Sequence, residues 1–140
     1  MQPDIIMNSN QKFEWKHNDL EVINFHNRNA LLFHFNGNLS QHIAHIFIER
    51  WQRALDELKD TNKTILIFDA THMSDYHPMA RSLFQKAIKE HKSGIESIWV
   101  ISSSRIIRAG AAMMSLFTSF PIYTVNDISE IEKIEASSVH

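Results

Sequence analysis

The sequence contains no cysteine. Disulfides, thiol nucleophiles, iron–sulfur clusters and thiolate zinc sites are therefore all excluded, and the composition agrees with a reducing compartment. Glycine is scarce. Gly37, Gly94 and Gly110 lie far apart, so neither a G-x-G-x-x-G turn nor a P-loop can cradle phosphates, and there is no G-x-S-x-G elbow for a serine nucleophile. Long apolar runs are also missing. The most apolar stretch, residues 106–120, carries Arg108 and is shorter than the about 20 residues that cross a bilayer. The first residues, Met1-Gln2-Pro3-Asp4-Ile5-Ile6, have neither a basic segment nor an apolar core of signal-peptide type. The expectation is a cytoplasmic protein with no membrane span. No excess of positive charge stands out either: the net charge is −2. The nearest thing to a basic stripe is Arg81, Lys86, Lys89 and Lys92 on one helix, which solvation explains, and nucleic acid is not an expected partner.

What is present is the composition of a globular domain. With 140 residues, 44% of them hydrophobic, the chain suits one domain with its own core. The expected organisation is a loose N-terminal arm over residues 1–11, a single domain over 12–134 and a frayed end over 135–140. Leu20 to His26 alternates apolar and polar residues, and Ala30 to Phe35 does so less strictly. With Asn27-Arg28-Asn29 between them they read as a β-hairpin, and Phe13-Glu14-Trp15 reads as a short edge strand. Ile43, Ile46, Phe47, Trp51, Ala54, Leu55 and Leu58 recur in steps of three and four behind Ser40, the signature of a capped amphipathic helix. Thr64 to Phe68 is a buried strand ending at Asp69, followed by a loop to His77. Pro78 opens a second helix. Ile98 to Ile101 is a third buried strand, Ser102-Ser103-Ser104 caps a helix to about Phe117, and Pro121 to Val125 is a last strand before a short helix through Ile134. The order β-β-α-β-α-β-α-β-α implies an α/β fold: a mixed, mostly parallel sheet of four to five strands with about four helices, opened by the hairpin.

Ligands of such sheets gather outside the carboxyl ends of the parallel strands. Two segments lie there. One runs from Asp69 to His77. The other, Ser103, Ser104 and Arg105 with Arg108, opens a helix whose free N–H groups attract anions; it is a candidate site for a small anion or an anionic lipid head, or a cap whose arginines pair with surface acids. Nine histidines in the chain raise the question of metal. His42 and His45 have ligand spacing, but His72 and His77 are expected at the opposite end of the sheet, so neither a metal nor a cofactor is assigned. His26 and His34 are expected to face solvent. Asp69, Asp75, His72 and His77 could build acid–base chemistry, yet no nucleophile is marked. The helix from Ser104 to Phe117 is apolar nearly all round, which implies burial on both sides or a contact with another chain, either a homodimer or a regulatory partner.

Thr64 to Arg81 (TILIFDATHMSDYHPMAR) resembles the central strand, loop and helix of STAS domains, the fold of bacterial anti-sigma factor antagonists. Ile98 to Arg108 resembles the next strand and turn, and Phe120 to Ile131 the closing strand and helix. Pro78-Met79-Ala80-Arg81 is similar to the loop of divergent STAS-like, SEC14-like bacterial proteins. The likeness spans about residues 12–134. It implies a non-catalytic, protein-binding regulatory domain, with His72, Ser74, Tyr76, His77, Met79 and Arg81 as the partner-binding surface, and no metal or cofactor. In the antagonists a serine or threonine at this helix start is phosphorylated to break the complex; His77-Pro78-Met79-Ala80 offers no hydroxyl there. The SEC14-like relatives imply an alternative, a small-molecule or lipid module with its anionic group near Arg105 or Arg108.

Overall fold

The computed structural model describes residues 6–7, 12–15, 18–25, 28–58 and 63–131. Seven strands form one sheet in sequence order: β1 (Ile6–Met7), β2 (Lys12–Trp15), β3 (Asn18–Phe25), β4 (Arg28–Leu39), β5 (Thr64–Tyr76), β6 (Ile95–Ile101) and β7 (Ile122–Val125). β1 to β4 pair antiparallel, and β4 to β7 pair parallel. The five strands β3 to β7 are the expected mixed, mostly parallel sheet, and β1 and β2 widen its antiparallel edge. The remainder of 1–11 and all of 135–140 lie outside the described residues.

Three parallel pairings require three crossovers. They are α1 (Gln41–Leu58), α2 (Pro78–His91) with a 3-10 turn (Lys92–Gly94), and α3 (Arg105–Thr118). All three pack on the same face. There Leu20, Phe33, Phe68 and Val100 stand in register across four strands, under Phe47 and Trp51 of α1, Phe84 and Ile88 of α2 and Ile107 and Ala111 of α3. Phe33 sits at the centre of this core, its ring 4.8 Å from Phe68, 5.7 Å from Phe47 and 5.9 Å from Trp51. The opposite face has a smaller core of Ala30, Leu32, Ile65, Ile67, Trp99, Ile101 and Val125, joined by Ile131 from a helical turn over residues 128–131.

Three expectations are corrected, and one open alternative is decided. Asn27-Arg28-Asn29 is not the hairpin turn: Arg28 and Asn29 are strand residues opposite Phe25 and Asn24. β5 does not end at Asp69. It continues to Tyr76, because residues 36–39 of β4 pair with His72, Met73, Asp75 and Tyr76. Two register shifts, between His34 and Asn36 and between Gly37 and Asn38, kink this ribbon; Gly37 supplies the positive φ of 73° that the kink uses. The start of α1 is not remote from His77. β4 and β5 are parallel, so α1 and α2 begin at the same rim, and the His77 N–H donates to Leu39 O at 2.9 Å. Of the two alternatives for α3, burial on both sides is the one that fails. Ile107, Gly110, Ala111 and Thr118 face inward, while Ile106, Met113, Leu116 and Phe117 are exposed.

Candidate functional site

The strand-exit rim gathers three helix starts, each capped by a local side chain. Ser40 Oγ accepts from the Ile43 N–H at 3.2 Å, His77 Nδ1 from Met79 N–H at 3.1 Å, and Ser104 Oγ from Ile107 N–H at 3.4 Å. His77 does what serine or aspartate usually does, and Pro78 follows it inside the first turn, where its missing N–H leaves no bond unmade. The cap engages Nδ1 of that ring.

The residues assigned to partner binding occupy one stretch of this rim. His72 and Ser74 are exposed on the β4–β5 ribbon, beside exposed Asn36 and Asn38. Met79 is 47% exposed on the first turn of α2. Tyr76 and Arg81 point the other way: the guanidinium lies over the Tyr76 ring, 5.9 Å from its centroid. Both line an apolar cavity of about 60 Å³ between sheet, α2 and α3, with Met73, Phe84, Gly110 and Met114 among its other walls. Arg81 Nε is buried there without a hydrogen-bond partner.

The second candidate segment is held by neutral partners. Ser102 Oγ accepts from the Ser104 N–H at 3.0 Å. Arg108 donates from Nε to Ser102 O at 2.7 Å, from Nη1 to Thr124 Oγ1 at 3.2 Å and from Nη2 to Asn126 Oδ1 at 2.8 Å. The guanidinium thus straps α3 to the ends of β6 and β7. Ser103 and Arg105 are exposed.

On the opposite sheet face the same rim carries a cluster that the sequence did not announce. Asp19, His34 and Asp69 stand in register on β3, β4 and β5. His34 Nδ1 lies 3.2 Å from Asp69 Oδ2, and its Nε2 lies 3.3 Å from Glu21 Oε2 and 3.7 Å from Asp19 Oδ1. The imidazole is therefore not a bystander facing solvent. Its hydrogen bond to Asp69 raises its pKa above the ordinary 6.5, burial opposes the shift, and the charges of Asp19, Asp69 and Glu21 add to it. The same hydrogen bond holds Asp69 at about 2, against the effect of burial. Thr71 adds two donors to Asp69 Oδ1, from its N–H at 3.1 Å and its hydroxyl at 2.6 Å. Asp69 is thus engaged by His34 and Thr71, and His77 Nδ1 by its cap. His42 and His45 are exposed on α1.

The architecture is matched among solved structures. A protein of the DUF3478 family from Shewanella loihica PV-4, described as uncharacterised and SpoIIAA-like in fold, superposes with a TM-score of 0.59 at 12% identity, over 79% of this chain and 87% of its own. The anti-sigma factor antagonist SpoIIAA, in its unphosphorylated form, gives a TM-score of 0.61 at 15% identity, over 88% of this chain and 99% of its own. The chain has the SpoIIAA-like, or STAS-like, fold. No family model matches the sequence, and no curated relative matches it. At such identities the likeness establishes the STAS-like fold alone, and the residues at the rim carry the rest. No helix of the described residues is long and apolar enough to cross a membrane.

Proposed function

We propose that this STAS-like chain is a non-catalytic regulatory domain that works by binding a protein at the strand-exit rim. One observation carries the reading: large apolar side chains stay in water around that rim and along α3. Met79 is 47% exposed, Ile106 61%, Phe117 59% and Leu116 81%. Apolar surface gathered along one element marks contact sites on soluble proteins, and methionines such as Met79 and Met113 adapt to differing partners. The surface takes His72, Ser74, His77 and Met79 as its rim part and the outward stripe of α3 as its extension, while Tyr76 and Arg81, first assigned to the same surface, turn into the cavity behind it. The engagement of Asp69 and of His77 Nδ1 in structural bonds supports a binding role over acid–base chemistry. With His77 and Pro78 at the helix start, control by phosphate at that point is not part of the reading. The expected setting is a bacterial cytoplasm.

The test combines sedimentation of the purified chain with capture of partners from its own cells. A second copy or a distinct protein bound by the native chain, and lost on Met79→Glu or Leu116→Glu with folding intact, supports the proposal. A complex indifferent to both substitutions overturns it.

The cavity favours one second reading, a small amphiphilic ligand. Its walls are apolar, and Arg81, with a buried Nε lacking a partner, stands at its edge; Arg81 thus takes the place first assigned to Arg105 or Arg108. Native mass spectrometry separates the two readings: a co-purifying ligand lost on Arg81→Leu supports this one, and a bare chain mass counts against it.

A further inference from the structure

The sheet face opposite α1, α2 and α3 holds a site unrelated to the partner surface. Asp19 and Glu21 are two residues apart on β3, so both project from one face. His34 stands opposite Asp19 on β4. One donor atom from each of the three lies within 4.8 Å of the others, and all three side chains are half-buried. Their spacing is that of ligands around a small cation. Bonds of about 2.0–2.1 Å in tetrahedral geometry put neighbouring ligand atoms about 3.3 Å apart, and Nε2 lies 3.3 Å from Glu21 and 3.7 Å from Asp19. The far side of the ring is also arranged as metal sites arrange it. Nδ1 donates to Asp69, which fixes the tautomer that leaves Nε2 as the metal-facing atom, and Thr71 fixes Asp69 in turn.

We propose that Asp19, Glu21 and His34 bind one divalent transition-metal ion of the Zn²⁺ class, with Asp69 as the positioning residue behind His34 and water completing the shell. One imidazole with two carboxylates is a nitrogen–oxygen set of the kind such ions accept.

Calorimetric titration of the full, chelator-treated chain with Zn²⁺ tests this, with circular dichroism checking the fold of each variant. The expected result is one ion per chain, with the His34 Nε2 nitrogen resonance shifted on addition of Zn²⁺. Glu21→Gln and His34→Gln each weaken binding tenfold or more, and Asp69→Asn weakens it on the order of 10–100-fold. A His42→Gln, His45→Gln double variant leaves the affinity unchanged. Absence of stoichiometric binding, binding that survives both Glu21→Gln and His34→Gln, or loss confined to the α1 histidine variant overturns the proposal. Partner binding at the rim is untouched by any of these outcomes, since its residues are different ones.

Discussion

At position 110 the side chain is a hydrogen atom, and the ring of Tyr76 lies where a methyl group would be. A Cβ built there meets Tyr76 Oη at 2.6 Å and Cζ at 2.9 Å. Glycine in a helix interior costs about 1 kcal/mol relative to alanine, so α3 accepts that cost to let the strand end and the helix touch. Gly110→Ala is therefore expected to destabilise the protein by about 1–2 kcal/mol, because the displaced ring has only the cavity edge to move into. In a Tyr76→Ala background the same change should stabilise by up to about 1 kcal/mol, the helix preference now acting unopposed. Denaturant unfolding of the four proteins checks both signs; equal effects in the two backgrounds would refute the contact. The His34 cluster belongs to the same scale and was hidden for a related reason. Its partners come from positions 19, 21 and 69, and only the pairing of three strands brings them together. Placing the turn at 27–29 rather than ahead of Arg28 shifts the hairpin register, and Asp19 then no longer faces His34. The legible signal was the Asp19–Glu21 spacing on a strand of period two.

Among the elements, α3 depends most on side-chain fastening at its start. Arg108 makes three hydrogen bonds to two neighbouring segments, and its planar fork reaches all three at once, which a lysine ammonium on one stem does not. Arg108→Ala should cost about 1.5–3 kcal/mol, and Arg108→Lys should recover less than half of that. Thermal unfolding of both variants measures it. An alanine variant as stable as the native chain would instead leave Arg108 free for an anion. The helices were legible from sequence because their cause is local: the stripe from Ile43 to Leu58 and the proline at 78 each state a helix without reference to the rest of the chain. The continuation of β5 was not legible. Thr71 to Tyr76 shows no alternation, since two register shifts break the pleat, and the segment is extended only because β4 runs beside it. Which of the two alternatives for α3 holds was not legible for a different reason. Apolar composition alone does not distinguish a helix covered by its own fold from one awaiting another surface.

For the whole molecule, the sheet divides the stabilising contacts unequally. The helix-covered face holds the aromatic cluster centred on Phe33 and joins α1, α2 and four strands. The other face has a short row of aliphatic residues and Trp99, with Ile131 as its fully buried contact from beyond β7. Removing a side chain from each face should therefore have different consequences, not merely different sizes. Phe33→Ala deletes the hub and should cost about 3–5 kcal/mol, a large share of the roughly 5–15 kcal/mol that holds a domain folded, and it should lower the global unfolding transition as one step. Ile131→Ala removes a smaller apolar group at the periphery, and its cost should appear as local opening. Amide exchange should accelerate across residues 122–131 while the β4 and β5 amides keep their protection. Uniform acceleration over the whole sheet in the Ile131 variant would mean that the two faces unfold together and that the second face is as central to the fold as the first.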